Sequence, residues 1–300
     1  MSKIKLKTNS ISLQVAFEEF IKSCVIKNLS PTTIHTYKAE IGKFIDFVGV
    51  YEPCSILSTA TIDSFIYQCR IDNNSPQYIC TRIRQVRAFV YYCISKQWCS
   101  EFKVTLPKAD EVIKEPYTIQ ELELLIKEPL GTTSFVEYRT WCFINLLLGT
   151  GIRLSTALNI KVSDINFTDR CILLSKLKNR KVQIIPMSDT LINGLRKYLS
   201  LWDYTNDNYL FPNTQTGDGL KQRTVEEDVA RYNTSRGVSK TSIHLFRHTY
   251  AKLFILNNGD SLMLQRLLGH STLTMTNHYV NLYSNDLSKG YNKICPLDNL

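Results

Sequence analysis

Between Leu106 and Tyr117 the chain carries Pro107 and Pro116 among mixed charges, a stretch that continues neither a helix nor a central strand. It reads as an exposed linker, and it divides the 300 residues into two parts with different patterning. In residues 1–105 every apolar series has helical spacing. Phe17, Phe20, Ile21 and Cys24 form one stripe. Ser30-Pro31 supplies a cap and a first-turn proline for a helix that turns Ile34, Tyr37, Ile41, Phe44, Ile45 and Val48 inward. Thr61 to Cys69 and Gln77 to Ser95 give two more helices, the last carrying Arg82, Arg84 and Arg87. Strand-like alternation does not occur here, so the expectation is a small bundle of four or so helices.

Beyond the linker, Thr118-Ile119-Gln120-Glu121 fits a capping box and opens a second domain. A long apolar helix is expected from about Phe135 to Leu148, ending at Gly149. The segments around Asp164-Ile165-Asn166, Cys171 to Ser175 and Val182 to Ile185 alternate or are β-branched, with turn residues between them. They predict a three-stranded antiparallel sheet. Helical spacing returns at Asp189 to Leu201, Val225 to Tyr232, Ile243 to Leu256, Ser261 to Leu268 and Leu273 to Tyr279. The fold class is therefore mainly α with a small antiparallel β-sheet.

An apolar content of 44%, with 13 Phe and 16 Tyr, can fill the cores of two domains and excludes a disordered chain. A net charge of +9 favours an anionic partner, nucleic acid first. Residues 1–105 hold 13 Lys and Arg against 8 Asp and Glu, and the rest hold 23 against 19. That spread suits a protein gripping its partner with both halves, and equally two ordinary solvated surfaces. Nine cysteines without a CxxC pair read as reduced core residues of a cytosolic protein. Lys3, Lys5 and Lys7 are followed by no apolar run, so Met1 to Ser10 is not read as a signal peptide. No stretch approaches the ~18 continuous apolar residues of a membrane span. The expected location is the cytoplasm.

The chemistry-bearing residues cluster in the last third. His244-Leu245-Phe246-Arg247 is followed by Leu268-Gly269-His270 and then Tyr279, with Arg153 far upstream in Gly149-Thr150-Gly151-Ile152-Arg153. A phosphodiester under attack gathers negative charge on its non-bridging oxygens, and a guanidinium can hold two of them at once. A phenol has a pKa near ~10 and needs a base to become a nucleophile. This order and spacing resembles the tyrosine recombinases, also called the phage integrase family, over nearly the whole chain. Asn28 to Ile34, followed by Tyr37 and Phe44, is also similar to that family's core-binding domain.

The resemblance implies an N-terminal helical core-binding (SAM-like) domain over residues 1–105, a linker over 106–117 and an α+β catalytic domain over 118–284. It implies that Arg153 and Arg247 clamp the phosphate, Tyr279 attacks, His244 is the base and His270 donates a hydrogen bond to the phosphate. In the family a lysine on the turn of the small sheet protonates the leaving oxygen. Counting back from Pro186 selects Lys178 in Ser175-Lys176-Leu177-Lys178-Asn179-Arg180-Lys181, with Lys176 as the alternative because a slip of two keeps the same face. Tyr283 is the rival nucleophile, four residues beyond Tyr279. Tyr250 reads as core, and His248 and His278 as packing or surface residues. Thr32, Thr33, Lys38, Arg84, Arg87 and Lys176 are the candidate DNA contacts. One departure stands out: Thr156 occupies the place where the family usually has Glu, which helps to orient the first arginine.

The reaction implied is transesterification through a 3′-phosphotyrosyl link, with neither cofactor nor metal required. The implied assembly is a homo-tetramer on two duplexes of double-stranded DNA carrying a specific recombination site. The rival readings are a type IB topoisomerase-like or telomere-resolving enzyme, and a non-catalytic DNA-binding protein of the same fold. Fewer than a dozen residues precede the first helix, which favours a simple Xer-like or transposon enzyme over one with an added arm-binding domain. The tail, Asn285 to Leu300, carries Leu287, Tyr291, Ile294 and Leu297 and is expected to dock on a neighbouring subunit or to pack on its own.

Overall fold

The computed structural model describes residues 11–109, 115–129, 134–174, 183–270 and 272. The chain forms two compact units, residues 1–113 and 114–300.

Among its described residues the first unit holds four α-helices: α1 (Leu13–Ile26), α2 (Pro31–Val48), α3 (Thr59–Ile71) and α4 (Pro76–Ser95). Each starts the same way. The hydroxyls of Ser12, Ser30, Ser58 and Ser75 accept from the amides of Val15, Thr33, Thr61 and Tyr78, satisfying a donor that the helix itself leaves open. Pro31 and Pro76 occupy the first turn, where the missing N–H costs nothing. The inward faces interlock through edge-on aromatic pairs, Phe20 with Phe89 at 5.8 Å and Phe44 with Phe65 at 5.1 Å. Arg82 is no surface cation. It is buried, with Nε donating to Glu40 at 2.8 Å, Nη2 to the Tyr78 hydroxyl at 2.6 Å and Nη1 to Cys69 Sγ at 3.3 Å.

The second unit is built on α6 (Phe135–Thr150), which packs against α5 (Ile119–Ile126), α8 (Asp189–Leu199), α9 (Gln222–Ser235) and α10 (His244–Leu256). Trp141, Phe143, Ile144, Leu146 and Leu147 are buried on several of its sides, as expected of a helix enclosed by others. α7 (Leu154–Ala157) and α11 (Ser261–Leu268) complete the helices among the described residues. The sheet has the order β1 (Ile165–Asn166), β2 (Cys171–Leu174), β3 (Gln183–Pro186), antiparallel throughout, with Ile172 opposite Ile185. Ile172, Leu174 and Ile185 enter the core, while Leu173 and Ile184 face outward.

Two local readings of the sequence need correction. α6 does not stop at Gly149 but runs to Thr150, and Gly151 provides the left-handed cap at φ 64°. Tyr117 is not part of an exposed linker. It is buried, stacks on Phe246 at 4.5 Å, and its hydroxyl accepts from Asn233 at 3.0 Å and donates to the Lys240 carbonyl at 3.2 Å. Leu106, at the other end of the stretch, packs on the core of the first unit. The expected helix Leu273 to Tyr279, the hairpin tip with Lys176 and Lys178, and the tail beyond Asn285 lie outside the described residues.

Candidate active site

Three of the residues singled out by pattern come together from separate elements of the second unit. Arg153 is delivered by the turn between α6 and α7, Arg247 by the first turns of α10, and His270 by the segment just past α11. Arg247 Nη2 donates to His270 Nε2 at 2.8 Å. A guanidinium can only donate, so this nitrogen of the ring accepts, and the proton of the neutral imidazole sits on Nδ1. Burial pushes the His270 pKa down to about 4, and the charges of Arg247 and Arg153 push the same way. Near neutral pH the ring is uncharged.

The two arginines are held by backbone carbonyls. Arg247 Nη1 donates to Gly151 O and Nη2 to Leu268 O, each at 2.8 Å. Arg153 Nη1 and Nη2 reach Gly269 O at 3.4 and 3.5 Å. Gly151 and Gly269 are the left-handed caps of α6 and α11, so the carbonyl ends of two helices converge on the cations. The partial negative charge of a helix C-terminus favours a cation there. Among the described residues Arg153 forms no ion pair with a carboxylate. Thr156 is buried inside α7, and its amide bonds back to the Arg153 carbonyl at 2.9 Å.

Gly151 has a steric role as well. A Cβ there would lie 2.3 Å from Cδ1 of Tyr250 and 2.9 Å from the Leu268 side chain. Tyr250, half-buried as expected of a packing residue, is therefore pressed against the turn that presents Arg153.

His244 is the first residue of α10 and is exposed, whereas Arg247 one turn on is half-buried. No hydrogen bond links His244 to the other three among the described residues. Lys176, Lys178, His278, Tyr279 and Tyr283 lie outside the described residues. In the first unit Thr32, Lys38 and Arg84 are exposed and Arg87 is half-buried. Thr33 is engaged in the cap of α2, its hydroxyl 2.8 Å from that of Ser30. Sequence reasoning missed Gln183 on β3, whose amide bonds to the end of α11. Its only signal was its place at the start of a strand, beside the lysine-rich turn.

The model of the phage integrase family matches residues 118–286. The chain is 24% identical over 296 residues to the tyrosine recombinase XerD of Staphylococcus saprophyticus, covering 95% of this chain and 99% of the relative. It is 25% identical to the tyrosine recombinase XerC of Chlamydia caviae, covering 91% and 95%. The Tn1549 transposon integrase in complex with transposon right end DNA superposes with a TM-score of 0.74 at 18% identity, covering 90% of this chain and 94% of that one. A lambda integrase dimer bound to a core site superposes at 0.71, also at 18% identity, covering 90% and 95%.

Proposed function

The chain belongs to the phage integrase family and is a tyrosine-type site-specific DNA recombinase, and on that premise we propose how its residues divide the reaction. Arg153 and Arg247 grip the non-bridging oxygens of the scissile phosphate. His270 donates its Nδ1–H to the same group. The Tyr279 phenol, relieved of its proton by His244, attacks phosphorus. The bond to the 5′ oxygen breaks, Lys178 or Lys176 supplies that oxygen with a proton, and the 3′ end remains joined to the tyrosine. A 5′-hydroxyl of a partner duplex then attacks the phosphotyrosine, and the phenol leaves with a proton. One phosphodiester is exchanged for another of similar energy, so the sequence closes without an energy source.

The observation that carries this reading is the meeting of two carbonyl-held guanidiniums with a neutral imidazole. Cationic and neutral donors fixed in place before substrate arrives are the arrangement that stabilises charge developing on an oxyanion. We propose double-stranded DNA with a specific recombination site as the partner, gripped by both units, with four copies acting on two duplexes. The Tn1549 integrase bound to DNA and the lambda integrase tetramer on a Holliday junction support that assembly.

The test is covalent capture. DNA attached to the protein after denaturation is sequenced, and the recovered site is rebuilt as a nicked duplex that traps the intermediate. The native protein should form the adduct, and Tyr279→Phe should bind the same duplex without forming it. Adducts persisting in Tyr279→Phe would move the nucleophile, with Tyr283 next in line. A native protein that binds the duplex and never becomes attached would overturn the assignment of roles.

A further inference from the structure

Gln183, at the start of β3, reaches across to the end of α11. Its Nε2 donates to the carbonyls of Arg266 at 2.5 Å and Leu267 at 2.9 Å. Both partners are acceptors, so the amide nitrogen must be the atom facing them. The next two carbonyls along the chain, Leu268 O and Gly269 O, are those that hold Arg247 and Arg153. Four successive carbonyls at one helix terminus are thus divided between one amide and two guanidiniums.

A second feature ties Gln183 to the same place. Gly269 is left-handed at φ 61°, and a Cβ on it would lie 3.1 Å from Gln183 Oε1 and 3.7 Å from Arg153 Nη1. The side chains of Gln183 and Arg153 therefore close on the same bare α-carbon, and a larger residue would separate them. Gly269 N bonds to Arg266 O at 3.1 Å, His270 N to Gln265 O at 3.1 Å and Gln265 Nε2 to His270 O at 3.4 Å, which fix the segment locally. Gln183 joins it to the sheet.

We propose that Gln183 is a positioning residue for the phosphate clamp: it fastens the last turn of α11 to β3, so that Leu268 O and Gly269 O stay aimed at Arg247 and Arg153. This rests on the reading that the two arginines hold the scissile phosphate. The last turn of a helix is its loosest part, because its carbonyls have no partners within the helix. Without the amide, these carbonyls can swing toward solvent, and the guanidiniums lose the acceptors that set their direction. A misplacement of about 1 Å near reacting atoms is enough to slow a reaction on the order of 10²-fold.

The experiment compares the native protein with Gln183→Met, which keeps the length and removes the donor, on the captured duplex. Thermal unfolding and DNA binding should stay close to native, while covalent attachment slows roughly 10- to 100-fold. Two altered substrates locate the defect. On a methylphosphonate, where one charged non-bridging oxygen is gone, the native protein and the variant should draw together. On a 5′-bridging phosphorothiolate, whose leaving group needs no proton, the full difference should persist. Gln183→Asn, with the amide on a shorter arm, should be impaired less than the Met variant, and it serves if the Met variant fails to fold. Native rates in folded variants, or a defect erased by the phosphorothiolate, would overturn the proposal, the latter by moving Gln183 to the protonation of the leaving group. Failure of the native protein itself to attach would instead fall on the assignment of the clamp.

Discussion

Among the contacts of Arg247 are three whose geometry a lysine cannot reproduce: two carbonyls from different helices and a ring nitrogen, all through two terminal nitrogens of one plane. Arg153→Ala or Arg247→Ala should slow covalent attachment by roughly 10²–10³, the scale of losing an oxyanion donor. Arg247→Lys should restore charge but not rate; a lysine variant with native kinetics would mean that charge alone suffices. His270 adds a dependence on pH. Its pKa is held near 4 in the folded protein, below the ordinary histidine value of 6.5. As pH falls below about 6.5 the unfolded chain takes up a proton that the folded one refuses until about 4, so stability is lost through that window. Urea midpoints at pH 7 and pH 5 should therefore differ more in the native protein than in His270→Gln. Equal differences would show that the ring titrates normally in the fold. These residues were legible in the sequence because their order and spacing resemble those of the phage integrase family. Tyr117 was not, since nothing in a proline-flanked stretch signals that its last side chain will stack on Phe246, far along the chain.

At the scale of elements, the helices were legible and their ends less so. Ser30-Pro31 marked the start of α2, while the matching serine caps of α1, α3 and α4 went unread, so that α3 and α4 begin two residues and one residue before the expected Thr61 and Gln77. The end of α6 was misread because Gly149 and Gly151 both qualify by composition. Only the packing decides between them. Gly149 tolerates a Cβ, with the nearest atom of Leu191 at 3.5 Å, whereas at Gly151 the same atom would strike Tyr250. Gly151→Ala must also adopt φ 64°, a region costing about 1–2 kcal/mol for an L-residue. It should lower stability by on the order of 2 kcal/mol or more once the clash is added. It should also slow attachment, since Gly151 O is an acceptor for Arg247. Gly149→Ala is the control, expected to be near neutral or slightly stabilising because it sits inside a helix. Equal effects of the two would remove the turn from the account of the site. The same logic explains why Gln183 escaped notice: a polar residue beginning a strand is commonplace, and its partners belong to a helix some 80 residues later, Arg266 at a separation of 83.

For the whole molecule, the informative quantity is where positive charge remains uncommitted. A net charge of +9 cannot distinguish a binding surface from a solvated one, because some cations are spent inside the fold. Arg82 is buried against Glu40, and Arg139 against Asp228 at 2.7 Å, so neither can meet a phosphate. Burial works against charge on Glu40, yet the bond from Arg82, with its charge and that of Lys43, holds its carboxyl below the usual range. Lys38 and Arg84, by contrast, are exposed on α2 and α4 with no ion pair among the described residues, and Arg87 is half-buried. If these side chains meet the DNA backbone, each releases counterions on binding, and the logarithm of affinity falls linearly with the logarithm of salt at about 0.9 per phosphate. Arg84→Ala and Lys38→Ala should each reduce that slope by about 1 and weaken binding to specific and random duplexes alike. An unchanged slope with selective loss of the specific duplex would instead assign them to base edges. Arg82→Ala should behave differently from both. It removes the strongest partner of the half-buried Glu40, leaving Lys43 and the Tyr78 hydroxyl. The change costs less than the ~3–5 kcal/mol of breaking a fully buried pair, so it should unfold the first unit at lower denaturant with little bearing on the salt slope.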